Sequence, residues 1–217
     1  MTTQHILNVI TPAATQDLMT LDEFKTSLRI ATSDTSKDDE LTLIIDGVSA
    51  QCAKLCNRIF GFEKVDETFY DVVNIARLYF SRWPVKLSDI ETFTVDGVDI
   101  RTDPSWVLEE KTGMLYKPGA VWNGDIDCIY SGGYKLPEDA PDDLKRVALL
   151  CAREDYYIYL RGAIMSGVRS VSHKHARVQF YPPGQIAMAA QTAKVGDLSP
   201  TWNQAMAVLN RYLRYWV

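Results

Sequence analysis

Residues 142–160 limit the fold most strongly, because they are apolar on two sides of one helix. Leu144, Val147, Ala148, Cys151, Ala152, Ile158 and Tyr159 share a face, and Leu149, Tyr156 and Leu160 form a second strip nearly opposite. Arg146, Arg153 and Tyr157 leave only a narrow polar edge. Such a helix must be covered from both sides, so it reads as the central helix. Its approach is the turn Ser131-Gly132-Gly133, and Pro141 falls in its first turn, where a missing N–H costs nothing. Asp139, Asp142 and Asp143 put negative charge at the end the helix dipole favours. Asp155 interrupts the main stripe. It reads as a core-edge carboxylate, paired with an arginine or capping a neighbour; as a catalytic carboxylate it has no visible companion.

The remaining helices are marked by spacing and caps. Leu21–Leu28 is expected as a short helix, with Thr20 and Glu23 in the capping-box pattern and Leu21, Phe24 and Leu28 facing inward. A second helix is expected over 38–60, where Leu41, Ile44, Ile45, Val48, Cys52, Leu55, Cys56 and Ile59 keep helical spacing, with Gly61 as its left-handed end. A last helix, Thr201 to Trp216, starts with Ser199 as cap and Pro200 at its first position. Its stripe is Trp202, Ala205, Met206, Leu209, Tyr212, Leu213 and Trp216.

Between Gly61 and Ser131 the pattern changes to alternation. Phe69–Val72, Ala76–Phe80, Ile90–Val95, Trp106–Glu109, Met114–Tyr116 and Asp125–Tyr130 read as strands, and Asp96-Gly97 as a tight hairpin turn. Trp83 and Trp122 read as core anchors. The fold class expected is α+β: a mainly helical core, an inserted small antiparallel β-domain and a tethered C-terminal helix. The expected divisions are 1–61 (polar tail and two helices), 62–130 (β-insert), 131–161 (central helix), 162–199 (a long basic connection) and 200–217 (C-terminal helix). Connections as long as 162–199 are usually functional or ordered only on binding.

Charge is divided unevenly along the chain. Residues 1–155 hold 27 acidic and 16 basic side chains, whereas 156–217 hold one acid, Asp197, against seven lysines and arginines. This polarity suits subunits that meet head to side, or a positive segment facing polyphosphate. No run approaches 18 apolar residues, so no membrane partner is expected, and the N-terminal residues lack the pattern of a secretory signal. Cys52, Cys56, Cys128 and Cys151 fall in apolar stripes and read as buried thiols.

The search for chemistry is mostly negative. P-loop, GxGxxG, GxSxG and HExxH patterns are absent. His173 and His175 would point the same way in an extended segment, but no third metal ligand stands at a fixed spacing. Arg169, His173, Lys174, His175 and Arg177 form a modest basic cluster suited to phosphate or an acidic surface, without a base-reading motif. Asp125 and Asp127 read as the solvent face of a strand. An enzyme built on Asp155, His173 and His175 is the weakest reading. No catalytic residue, cofactor or metal is expected.

The segments LMTLDEFKTSLRI and SGGYKLPEDAPDDLKRVALLCAREDYYIYLR resemble the head–tail connector (adaptor, or head-completion) family of tailed bacteriophages and phage-like gene transfer particles. In that family an aromatic glycine turn leads through a proline start into a helix ending in arginine. Here the matching residues are Gly132, Gly133 and Tyr134, then Pro141, Leu144 and Lys145, and finally Arg161. The resemblance covers about residues 18–161; the strand region and the tether before the last helix are longer than in many members. It implies a structural subunit of the virion, assembled in the host cytoplasm, forming a homo-oligomeric ring, usually of twelve, under the portal. Double-stranded DNA would pass through the ring, with a stopper or tail-completion protein on the opposite face. The C-terminal residues Trp202, Met206, Leu209, Tyr212, Leu213 and Trp216 would then meet the portal or a subunit, and the basic segment Arg169–Arg177 would face the DNA channel or an acidic partner. The alternative is a small non-viral binding or regulatory module.

Overall fold

The computed structural model describes residues 4–165, 170–173, 176–179 and 200–214. Along the chain come β1 (Gln4–Thr11), α1 (Leu21–Leu28), α2 (Asp38–Leu55), β2 (Glu63–Ile75), β3 (Arg77–Tyr79), β4 (Ile90–Val95), β5 (Val98–Asp99), β6 (Val107–Glu109), β7 (Met114–Tyr116), β8 (Trp122–Gly132), α3 (Asp142–Met165), β9 (Ser170–His173), β10 (Ala176–Gln179) and α4 (Pro200–Leu209). The antiparallel strands form a five-stranded sheet, ordered β1-β2-β8-β4-β5, a three-stranded sheet, ordered β3-β7-β6, and a two-stranded ribbon of β9 and β10.

The expected mainly helical core with a small β-insert is therefore wrong. Two substantial antiparallel sheets dominate the fold and enclose their own buried cluster, which includes Val65, Phe69, Phe80, Phe93, Trp106, Trp122, Ile126 and Tyr130. Three features hid the extent of the sheets. The N-terminal segment, expected as a polar tail, supplies β1, which runs antiparallel to β2 from His5 opposite Phe69 to Val9 opposite Val65. The inward face of β2 alternates Glu63, Val65, Glu67 and Phe69, all buried, so two carboxylates break the apolar rhythm that signals a strand. Past Phe69 the pairing of β2 with β8 shifts register twice, and Asp71 and Asn74 adopt positive φ there. Asp125 and Asn123 hold these irregularities by accepting from the Asp71 and Asn74 amides at 2.9 and 2.8 Å.

The aromatic residues of the sheets mostly pack on one another. Phe93 lies between Trp106 and Trp122, with ring centroids 4.8 and 5.7 Å away, and Phe80 stacks on Tyr130 at 4.2 Å. The indole N–H groups of Trp106 and Trp122 donate to the Ile100 and Leu115 carbonyls. Trp122 is a fully buried anchor, as its sequence context indicated. At the β4–β5 turn Asp96 and Gly97 both take positive φ, as a two-residue hairpin requires.

The helices form the second layer. α1 has the expected bounds and its capping box: the Glu23 amide donates to the Thr20 hydroxyl, and the Thr20 amide donates to the Glu23 carboxylate. α2 stops earlier than expected, at Leu55, and Asn57 rather than Gly61 takes the left-handed conformation. Helical spacing continues past the helix end to Ile59, but Phe60 enters the core from an irregular segment. α3 starts after Pro141, whose carbonyl accepts the Lys145 amide at 2.8 Å. Its Leu144, Val147, Ala148, Cys151, Ala152 and Tyr156 are buried, but Ile158 and Tyr159 are exposed rather than part of the inner face.

The layers are stitched where β8 leaves the sheet. The Tyr134 amide donates to the Phe60 carbonyl at 2.8 Å. Gly133 sits at φ 109°, and a Cβ there would lie 2.3 Å from the Gly61 carbonyl oxygen. Only glycine fits so close an approach of two backbones.

Candidate functional site

The residues following α4 run into the seam between the helical layer and the sheets. α4 lies on α3 and buries Trp202, Ala205 and Leu209 in the helical cluster, with Met206 and Tyr212 partly buried against it. The Leu209 carbonyl accepts from the Cys56 thiol at 3.5 Å, and the Arg214 amide donates to the Cys56 carbonyl at 3.0 Å. Tyr212 donates to Asp143 at 2.5 Å, and burial followed by this hydrogen bond pushes its phenol pKa far up. Leu213 borders a groove shared with Tyr79, Phe80, Trp83 and Arg211.

Arg214 connects this seat to a buried polar network. Its Nη2 donates to the Ser81 hydroxyl at 2.6 Å, and that hydroxyl donates onward to Glu67. Glu67 is fully buried and also accepts from the Ser81 amide at 3.1 Å and the Tyr130 phenol at 2.5 Å. The imidazole Nε2 of His5 is 2.5 Å from its other carboxylate oxygen. The Tyr130 phenol oxygen accepts from the Arg82 amide at 3.1 Å, while Arg82 Nε donates to Glu63 at 2.6 Å. Burial, followed by the charge of Glu67, raises the Tyr130 pKa well above the ordinary phenol range. This network links β1, β2, β8, the turn after β3 and the segment after α4. It satisfies carboxylates whose burial would otherwise be costly.

Arg58 lies beside the network. Its guanidinium is face-on to the Trp83 indole, 3.3 Å from the ring centroid, and its Nη2 donates to the Trp83 carbonyl. Burial draws its pKa down to about 10. Trp83 thus serves as a half-buried platform for a cation as well as an apolar anchor. An open cleft of about 640 Å³ adjoins, lined by Gln16, Asp17, Asp46, Ser49, Arg58 and Arg82 among others. Burial, then the neighbouring Asp17, raises the Asp46 carboxyl. The cleft brings together two carboxylates, Asp17 and Asp46, and two guanidinium groups, Arg58 and Arg82.

Other residues singled out from sequence fall elsewhere. Asp155 is half-buried on α3, with its carboxyl raised by burial and then by Glu154. His173 lies on β9 opposite Ala176, and Arg177 lies on β10 opposite Ser172. Arg169, Lys174, His175 and Trp216 lie outside the described residues. The four cysteines are free and buried, and burial pushes Cys56 up to about 11 and Cys151 up to about 12. Among the described residues, no group of three or more His, Cys, Asp or Glu is placed to hold a metal, and no helix is long and apolar enough to cross a membrane. Sequence reasoning missed Glu63, Glu67, Ser81, Arg82 and Arg58. The available signal was the spacing Glu63-Val65-Glu67-Phe69, which is a strand face once its carboxylates are given buried partners.

No protein-family model matches the chain, and no curated protein matches it in sequence. Solved structures do match in fold. One is a chain from the neck of an empty gene transfer agent (GTA) particle computed with C6 symmetry, at 15% identity and a TM-score of 0.54. Another comes from the virion of a native GTA particle, at 14% identity and a TM-score of 0.52. In both comparisons the alignment covers 98% of this chain and 97% of the other. The overall fold described above is thus similar to that of chains in these particles.

Proposed function

We propose that this protein is a structural subunit of a head–tail neck: an adaptor that forms a homo-oligomeric ring between the capsid portal and the tail, with double-stranded DNA passing through it. The carrying observation is the fold likeness to a neck chain, which extends over both chains almost completely. The segments 18–30 and 131–161, which resemble the connector family, form α1 and the β8–α3 junction at the joint between the two layers. A scaffold role suits a site in which buried hydrogen bonds and an ion pair tie separate strands together.

In this reading the basic connection faces the DNA channel or an acidic partner, through Arg169, His173, Lys174, His175 and Arg177. The C-terminal residues Trp202, Met206, Leu209, Tyr212, Leu213 and Trp216 serve the portal or a neighbouring subunit. For the buried members, Trp202 and Leu209, this requires α4 to leave its seat on α3 and the partner to cover the flank it vacates. The stopper or tail-completion protein occupies the opposite face of the ring.

The test is removal of the protein from the particle that encodes it. DNA-filled heads without tails should accumulate, and adding the purified protein should restore a ring density under the portal and let tails attach. Normal tailed particles formed without it would refute the proposal.

A further inference from the structure

The five-stranded sheet ends on two very different edges. β5 is two residues long and carries Asp99. β1 is eight residues long, QHILNVIT, with no lysine, arginine, carboxylate or proline. Among the described residues β1 pairs on one side only, with β2. Ile6, Val9 and Ile10 on this strand are each nearly half exposed. Edge strands that must stay single are normally short, charged, bulged or interrupted by proline. The β1 edge has an irregularity only at its end, between Val9 and Thr11, which leaves Gln4 to Val9 in continuous register.

The chain also has strands in need of a sheet. β9 and β10 pair with each other, from His173 opposite Ala176 to Ser170 opposite Gln179, and among the described residues join neither larger sheet. A two-stranded ribbon alone is marginal in water, and a third strand stabilises it. The ribbon lies in the carboxylate-free stretch from Tyr156 to Gly196, whereas residues 1–155 are strongly acidic. On β2, Asp66 stands directly opposite Asn8 of β1, and Lys64, opposite Thr11 on the same face, is paired with Glu91 at 2.6 Å, so Asp66 is the acidic neighbour the edge offers a basic ribbon.

We infer that the free edge of β1 accepts the β9–β10 ribbon of a second copy of this chain, by strand addition. This rests on the ring reading above. Each copy supplies one acceptor edge and one donor ribbon at different places, so the contact is head-to-tail, the type that repeats around a ring until it closes. Main-chain hydrogen bonds hold the added strand, and the unlike charges of donor and acceptor regions favour a neighbour's ribbon over edge-to-edge pairing of two β1 strands.

The experiment mixes two single variants of the full chain, Ile6→Cys and Val171→Cys, and treats them with a short bismaleimide while native mass is measured in parallel. The native cysteines are buried, so labelling is confined to the introduced thiols. Covalent dimers joining the two variants, in samples whose native mass is oligomeric, are the expected result. An oligomer without this cross-link overturns the edge proposal and leaves the ring reading standing. Cross-linking only within one copy, in an Ile6→Cys/Val171→Cys double variant, also overturns it. A monomer at every concentration and in the presence of portal refutes both. In an independent arm, Ile6→Lys/Ile10→Lys should keep the wild-type melt and lose most of the assembled fraction; full assembly by this variant would refute the edge contact.

Discussion

The Tyr130 phenol donates to the Glu67 carboxylate at 2.5 Å inside the five-stranded sheet, and neither residue is exposed to solvent. The carboxylate that ends this contact is the hub for Ser81 and His5, and through Ser81 for Arg214. One buried acid therefore ties the first strand to the segment after the last helix.

Glu67→Ala leaves the Tyr130 hydroxyl and the Ser81 amide without their acceptor. A buried donor left unpaired costs about 1–3 kcal/mol, so the loss on urea unfolding should exceed the typical single substitution. Glu67→Gln keeps an acceptor oxygen and should lose less. Equal stability of Glu67→Ala and wild type would show that the network does not support the fold.

Acid should weaken the α1 start. Burial acts to raise the Glu23 carboxyl, but Lys145 and the Thr20 amide outweigh it and hold the pKa below the ordinary value of 4.5. A depressed folded-state pKa contributes stability that is present above the unfolded value and lost as pH falls through the folded one. Wild type should therefore be more stable than Glu23→Gln near neutrality, and the two should converge in acid. A gap independent of pH would rule out the charge as its source. Thr20→Ala, which removes the hydroxyl that accepts from the Glu23 amide, should cost about 1 kcal/mol near neutral pH.

The α4 seat should prove structural in the isolated subunit. Trp202→Ala opens a cavity in the helical cluster and should cost about 3–5 kcal/mol. Deleting residues 200–217 removes Trp202, Ala205 and Leu209 together and exposes the flank of α3, which is enough to unfold a protein of ordinary stability. A truncated chain melting like wild type would instead show that α4 contributes little to the fold of the free subunit.

If the basic connection faces DNA or an acidic partner as proposed, charge reversal at Arg169 and Lys174 should reduce assembly or DNA retention, and the difference should shrink as salt rises, because salt screens charge contacts made in water. Wild type and variant behaving alike from low to moderate salt would assign these residues to ordinary loop surface.

Much of the helical layer was determined locally. The Thr20–Glu23 capping box, the α2 stripe and the Pro141 start each depend on residues within one or two turns, so spacing alone reveals them. The Asp96-Gly97 turn is local in the same sense, since its two positive φ values need only those two residues. The β-structure depended on distant partners. Gln4–Thr11 is a strand because β2 lies beside it, and Glu67 faces inward because Ser81, Tyr130 and His5 arrive from other parts of the chain. Read along the sequence, a glutamate between Val65 and Phe69 argues against a buried face; only the folded arrangement supplies the donors that make its burial affordable. The end of α2 divides the same way. Helical spacing carries on through Ile59 and Phe60, but the helix stops where Asn57 turns left-handed and Phe60 meets Tyr134 and Tyr212 from elsewhere in the chain. Short-range spacing specified which segments were amphipathic, and long-range pairing decided which of them became the sheet.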